Sequence, residues 1–216
     1  NNRILENLKD ISLLYKLKLR TNFYIALLKN LFNIFDNNKA KIILDNKKDI
    51  YKKKYDVIFI SHLVNEKQFE ASDDNYFGGL INYISQKGLS VLIIFIPHIK
   101  FNKIEFFKYL KKKKGYDSYL LDEHITSFKV KFKTIISLLR ERQKFLELSR
   151  NISGYESNLA LYTAESFLSQ NNFCNFIYGL QIGDIIKNTK SKNIVTTFEG
   201  YNWERLFYYL SRKNNP

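Results

Sequence analysis

Methionine is absent from all 216 residues, position 1 included. A translation product begins with one, so the chain is expected to be a piece of a longer protein. The ending "SRKNNP", which follows a helical pattern directly, carries the same expectation. There is a single cysteine, Cys174, which rules out an internal disulfide and a multi-cysteine metal site. It sits in "NNFCNFIYGL" among aromatics, with no basic neighbour to favour a thiolate, so a small buried thiol is expected rather than a nucleophile. No run reaches about eighteen apolar residues, and no signal-peptide pattern opens the chain; the expected location is cytoplasmic.

Arginine is scarce as well. Of 35 basic residues 28 are lysine and 7 arginine, against 21 acids, giving a formal charge of +14. Clustered lysines can neutralise phosphates and release counterions. Arginine is the better groove reader and bidentate phosphate ligand, and the chain is rich in Asn, Ile, Phe and Tyr throughout. The charge therefore reads as compositional drift, and nucleic acid is not the expected partner. A pull toward anionic membrane surfaces is compatible with it. No G-x-G-x-x-G follows the first strand pattern, which argues against a dinucleotide cofactor. The acidic pair Asp73–Asp74 in "SDDN" reads as a loop or helix cap, so neither a metal nor a cofactor is expected.

What is present is a core. At 45% apolar residues, 216 positions suffice for one domain or one and a half. Residues 1–36 repeat apolar side chains at three- and four-residue spacing between lysines, which predicts a helix packed on the domain, or else a basic amphipathic membrane helix. "KAKIILDN" suits a short strand and "KKDIYKKKYD" a solvated connection. "YDVIFISHLV", Tyr55 to Val64, is a β-branched and aromatic run of the kind buried on both faces of a parallel sheet. A polar loop follows, then a helix with Phe77, Leu80, Ile81 and Ile84 on one face and Gly88 at its end. "SVLIIFIPH", Ser90 to His98, is a second apolar strand, stopped by Pro97. The spacing makes a βαβ unit.

After a short helix and a Gly115 stop, a third strand is expected at Tyr119 to Leu121. A long helix should run from Thr126 to about Arg150, with Phe128, Phe132, Ile135, Leu139 and Leu146 on its buried stripe. Further helices fall near Leu159 to Leu168 and Phe173 to Ile186. The last strand, Asn193 to Phe198, leads into a helical pattern. The expected organisation is a helical segment over residues 1–50 packed on a Rossmann-like α/β domain over 51–216. The fold class is an open, doubly wound parallel sheet with additional helices.

In such sheets ligands bind at the carboxyl ends of the strands. Those ends carry Ser61, His62 and Asn65 on the first strand, His98 on the second, and Glu199 and Gly200 on the last. Each has a plainer alternative: His62 as a strand-end hydrogen-bonder, His98 as an exposed residue after proline, Glu199 as half of an ion pair. Trp203 falls in register with Leu206, Phe207 and Leu210 and is first a core anchor. Glu204 suits the helix dipole, and Arg205 could pair with Glu199 or with a substrate phosphate.

"TTFEGYNWERL" resembles the strand-to-helix corner "(Y/F)E(G/N)…WE" of bacterial surface-carbohydrate biosynthesis proteins of the GT-B glycosyltransferase type. "YDVIFISHLVN" with "DDNYFGGLINYISQKGLSVLIIFIPH" resembles their first βαβ unit. The resemblance covers residues 55–98 and 193–210. It implies an acceptor-side amino-terminal domain, a nucleotide-sugar bound by a carboxy-terminal domain outside this chain, and a glycan or lipid-linked acceptor. Glu199 and His62 are then the base candidates. Ser61, Asn65, His98, Gly200, Glu204 and Arg205 are the substrate-binding candidates. A non-catalytic basic module docking on membrane or nucleic acid is the alternative, distinguished by steep salt sensitivity. A polyol-phosphate phosphotransferase on the same sheet is a third reading.

Overall fold

The computed structural model describes residues 17–18, 20–21, 24–25, 28, 46–65, 68, 73–98, 115–122, 126, 128–191, 193–197, 204, 207–208 and 212. The chain divides into two compact units. One comprises Asn1–Ile34 with Thr126–Ile177, the other Phe35–Ile125 with Tyr178–Pro216.

The second unit is built on strands β1 (Val57–Leu63), β2 (Val91–Pro97), β3 (Asp117–Leu120) and β4 (Asn193–Thr196), with helix α1 (Leu80–Gln86) between β1 and β2. The sheet order is β3-β2-β1-β4, and every pairing is parallel. This is the open parallel α/β sheet that the apolar runs predict. All seven residues of β1 and six of the seven in β2 are buried. Both faces of these central strands are covered, which is why they are apolar runs rather than alternating patterns.

The edges depart from expectation. β3 begins two residues earlier than the sequence suggests, at Asp117, and stops at Leu120. β4, expected over Asn193 to Phe198, spans Asn193–Thr196; it has one neighbour among the described residues and is exposed at Asn193 and half-buried from Ile194 to Thr196. Of residues 39–46, which suit a short strand, 39–45 lie outside the described residues and Asn46 is helical, part of a stretch over 46–51.

α1 also differs from its expected face. Phe77 lies in the turn before the helix, its ring 5.0 Å from that of Phe59 and edge-on to it. Leu80 is 43% exposed, and Ile81 is the residue that α1 buries. Gly88 follows the helix at φ +83°, the left-handed conformation that lets the chain leave it.

The first unit is helical. Its described amino-terminal residues, Leu17, Lys18, Arg20, Thr21, Tyr24, Ile25 and Leu28, are all helical. Then come α2 (Phe128–Asn151), α3 (Gly154–Ser166) and the first part of α4 (Gln170–Thr189). Ile135, Leu138, Phe173 and Ile177 form its buried cluster, with Val130, Phe167, Cys174 and Phe176 packed against it. Cys174 is half-buried there.

The buried face of α2 is not the expected stripe. Lys131, Thr134, Ile135 and Leu138 are buried, whereas Phe128, Phe132 and Leu139 are exposed. The apolar pattern fits two faces of this helix, and packing against its neighbours selects the one through Ile135 and Leu138. From Tyr178 onward α4 belongs to the sheet unit, where Ile182, Ile185 and Ile186 are fully buried. No helix among the described residues is long and apolar enough to cross a membrane.

Candidate functional site

The strand order locates the site. From β1 the chain steps outward through β2 to β3, then returns to the other side of β1 as β4. The order therefore reverses between β1 and β4, and in open parallel sheets the crevice for a ligand opens at that reversal, beyond the carboxyl ends. β1 ends in Ser61, His62 and Leu63, and β4 ends at Thr196. Ile60 pairs with Thr196, so Ser61 and Thr197 are the next opposed positions in register. The Thr197 hydroxyl is buried and makes no hydrogen bond among the described residues.

Successive residues of a strand face opposite sides of the sheet, and that divides Ser61 from His62. Ser61 is fully buried and its hydroxyl donates to Asp74 Oδ2 at 2.7 Å. The other carboxylate oxygen of Asp74 accepts the backbone N–H groups of Tyr76 (2.9 Å) and Phe77 (3.0 Å). Its backbone carbonyl accepts Gly78 N–H at 2.8 Å. Asp74 is thus the clamp of a tight loop folded over the end of β1, and Gly79, not an acid, occupies the N-cap of α1.

On the opposite face, His62 Nδ1 lies 2.6 Å from His98 Nε2. The parallel register explains the meeting: His62 pairs with Ile96, and His98 is two residues further along on the same face. The pairing continues past the strand end, where His98 N–H donates to Leu63 O at 2.9 Å. His62 is fully buried and His98 exposed. The Tyr76 ring, from the Asp74 loop, stands 5.3 Å from that of His62.

Gln68 closes the turn after β1. Its carboxamide donates to His62 O (2.9 Å) and accepts from Val64 N–H (2.6 Å) and Asn65 N–H (3.0 Å). Asn65 Oδ1 in turn accepts Gln68 N–H at 3.1 Å, while the Asn65 side chain keeps two amide donors at the exposed rim. At the end of β3, Gln181 does the same for buried Asp122, taking its backbone N–H and carbonyl at 3.3 and 2.7 Å. Beside it, Tyr119 has its phenol pushed well above the ordinary value by burial and by the charges of Asp122 and Asp184.

Of the residues the sequence singles out, Ser61, His62, Asn65 and His98 come together at this carboxyl edge. Glu199, Gly200 and Arg205, and the anchor Trp203, lie outside the described residues. Glu204 is helical and fully buried, and its charge, after burial, helps hold the Tyr208 phenol above its usual value. The loop expected at Asp73–Asp74 is present, with Asp74 as its clamp, though its bond to Ser61 was not legible. Sequence reasoning missed Gln68, Tyr76 and Thr197, and nothing local marks Gln68.

Among the described residues no three His, Cys, Asp or Glu side chains gather as a metal-binding group. Two nitrogens on one tetrahedral metal would stand roughly 3.3 Å apart, so the 2.6 Å His62–His98 spacing is that of a hydrogen bond. A hollow of about 620 Å³ opens at the opposite, amino edge of the sheet, lined by Lys53, Lys54, Tyr55, Ser90, Tyr116 and Asp117. Within it Asp117 Oδ2 accepts from both Lys53 (2.7 Å) and Tyr55 (2.8 Å). The carboxyl edge, with its paired imidazoles at the reversal of strand order, is the better candidate. Neither family models, nor curated proteins, nor solved structures match this chain.

Proposed function

We propose that the sheet unit seats a hydroxyl-bearing acceptor, a glycan or lipid-linked sugar, beside the β1–β4 crevice, as the acceptor side of a glycosyltransferase of GT-B type using a nucleotide-sugar. The observation that carries this reading is the His62–His98 pair, a buried imidazole holding an exposed one at the carboxyl edge. A cytoplasmic location goes with such a donor.

In the transfer, the acceptor O–H bond breaks and its proton passes to a base. The acceptor oxygen bonds to the anomeric carbon as the sugar–phosphate C–O bond breaks, and the nucleoside diphosphate leaves with the electron pair. His98 is the exposed imidazole, and His62 positions it. With neutral His98 donating Nε2–H to His62 Nδ1, proton uptake at His98 Nδ1 leaves the ring-to-ring bond intact. Glu199 is the carboxylate candidate for the same step, two residues beyond Thr197 and so within a chain reach of about 7 Å of it. Arg205 is the cation for the departing diphosphate.

The test is acceptor-dependent release of nucleoside diphosphate by the protein containing this chain, across a panel of nucleotide-sugars with glycan and lipid-linked acceptors. Substituting the base, by His98→Gln or Glu199→Gln, is expected to lower the rate about 10²–10⁴-fold, and Glu199→Gln should leave the melting temperature nearly unchanged. No acceptor-dependent release with any member of the panel, or full activity in both variants, overturns the reading.

A further inference from the structure

We infer that the exposed stripe of α2 docks the helical unit on an anionic lipid bilayer surface. The inference does not rest on the transferase reading. Phe128 is 64% exposed, Phe132 51% and Leu139 41%. At about 100° per residue these three fall within an arc of roughly 40° on the helix. The two phenylalanine rings stack on each other, with centroids 6.2 Å apart and planes 12° from parallel. The buried face, Lys131, Thr134, Ile135 and Leu138, lies to one side of that stripe.

On its other side, within roughly another 100°, stand Lys129, Lys133 and Arg140, all exposed. None of the three makes an ion pair among the described residues. Residues 128–151 carry seven Lys and Arg against two Glu, a net charge of +5. An apolar stripe bordered by cations has two opposite needs, an apolar medium and a layer of negative charge. A bilayer surface with anionic headgroups meets both within a few ångströms of depth. A protein partner would match this pattern only with an acidic rim around an apolar centre, whereas any anionic bilayer presents both layers.

Vesicle flotation tests this directly. Wild-type protein should float with vesicles of phosphatidylglycerol and phosphatidylcholine, and less with phosphatidylcholine alone. Since the whole chain is basic, the decisive comparison is Phe128→Ser/Phe132→Ser, which leaves the charge unchanged. At about 0.5 M salt, where long-range attraction is screened, this variant should bind about tenfold or more weakly than wild type. Lys129→Gln/Lys133→Gln/Arg140→Gln should lose the preference for anionic vesicles. Circular dichroism checks that both variants keep the wild-type helix content. Equal binding by the serine variant and wild type at that salt overturns the inference. So does a concentration-dependent dimer, abolished by the serine substitutions, in a protein that does not float.

Discussion

His62 and His98, 36 residues apart in the chain, share a hydrogen bond of 2.6 Å between ring nitrogens at the end of two parallel strands. One nitrogen must donate and the other accept, so the pair has a defined tautomer relationship. His98→Ala removes a partner from a fully buried ring and should destabilise the protein by about 1–3 kcal/mol in urea unfolding. Long-range ¹H–¹⁵N spectra should show a changed His62 tautomer or protonation pattern in the variant. An unchanged His62 pattern would mean that the two rings do not hold each other.

Asp74→Ala should loosen the loop over β1. It removes acceptors from Tyr76 N–H, Phe77 N–H and the buried Ser61 hydroxyl. The expected cost is about 2–4 kcal/mol, since an orphaned buried donor adds its desolvation to the lost bonds. Ser61→Ala in the same background should cost less than it does in wild type. That coupling, read by a double-mutant cycle, is expected at about 0.5–1.5 kcal/mol. Strict additivity would deny the bond.

Glu165 joins two arginines in the helical unit. Only 2% of its side chain is exposed, and it accepts from Arg20 at 3.0 and 2.7 Å and from Arg142 at 3.1 Å. Burial raises its pKa, but the two guanidinium hydrogen bonds and charges outweigh that and hold the carboxyl below the usual glutamate value. A depressed carboxylate contributes stability above its unfolded pKa and loses it as pH falls through the folded one. Glu165→Gln should therefore be less stable than wild type at neutral pH. The gap should narrow as pH falls below about 4.3. Denaturant midpoints measured from pH 7 to pH 2 check this, and a constant gap would reject it.

Two glycines separate backbone strain from crowding. Gly88 has φ +83° with open space where a Cβ would stand, and Gly115 has φ +113° with the Ser85 hydroxyl oxygen 3.1 Å from that point. Ser85 also donates to the Gly115 carbonyl. Gly88→Ala should cost about 1 kcal/mol for the left-handed conformation alone. Gly115→Ala should cost more, because the Ser85 hydroxyl must also give way. Melting temperatures in the opposite order would reverse this account.

The two central strands were legible in the sequence because a parallel sheet covered on both faces demands continuous apolar runs, and "VIFISHL" and "VLIIFIP" have no other comfortable place. The same logic marks their ends, which is why Ser61, His62, Asn65 and His98 could be chosen as neighbours. The edge position of β4 is legible only in part: "NIVTTF" carries three apolar residues in six where "VIFISHL" carries five in seven, but it takes the sheet order, with one neighbour among the described residues, to place it at the edge. The α2 stripe misled for a related reason. Phe128, Phe132 and Leu139 are as periodic as Lys131, Ile135 and Leu138, and a helix alone cannot say which row will meet another helix. Tertiary packing made that choice, burying a lysine and a threonine and leaving two phenylalanines in water. It also brought Asp74 to Ser61 and His98 to His62. Local sequence sets which residues can form a strand or a helix; which side chains meet across the sheet depends on register and loop path, and those are decided when the whole core closes.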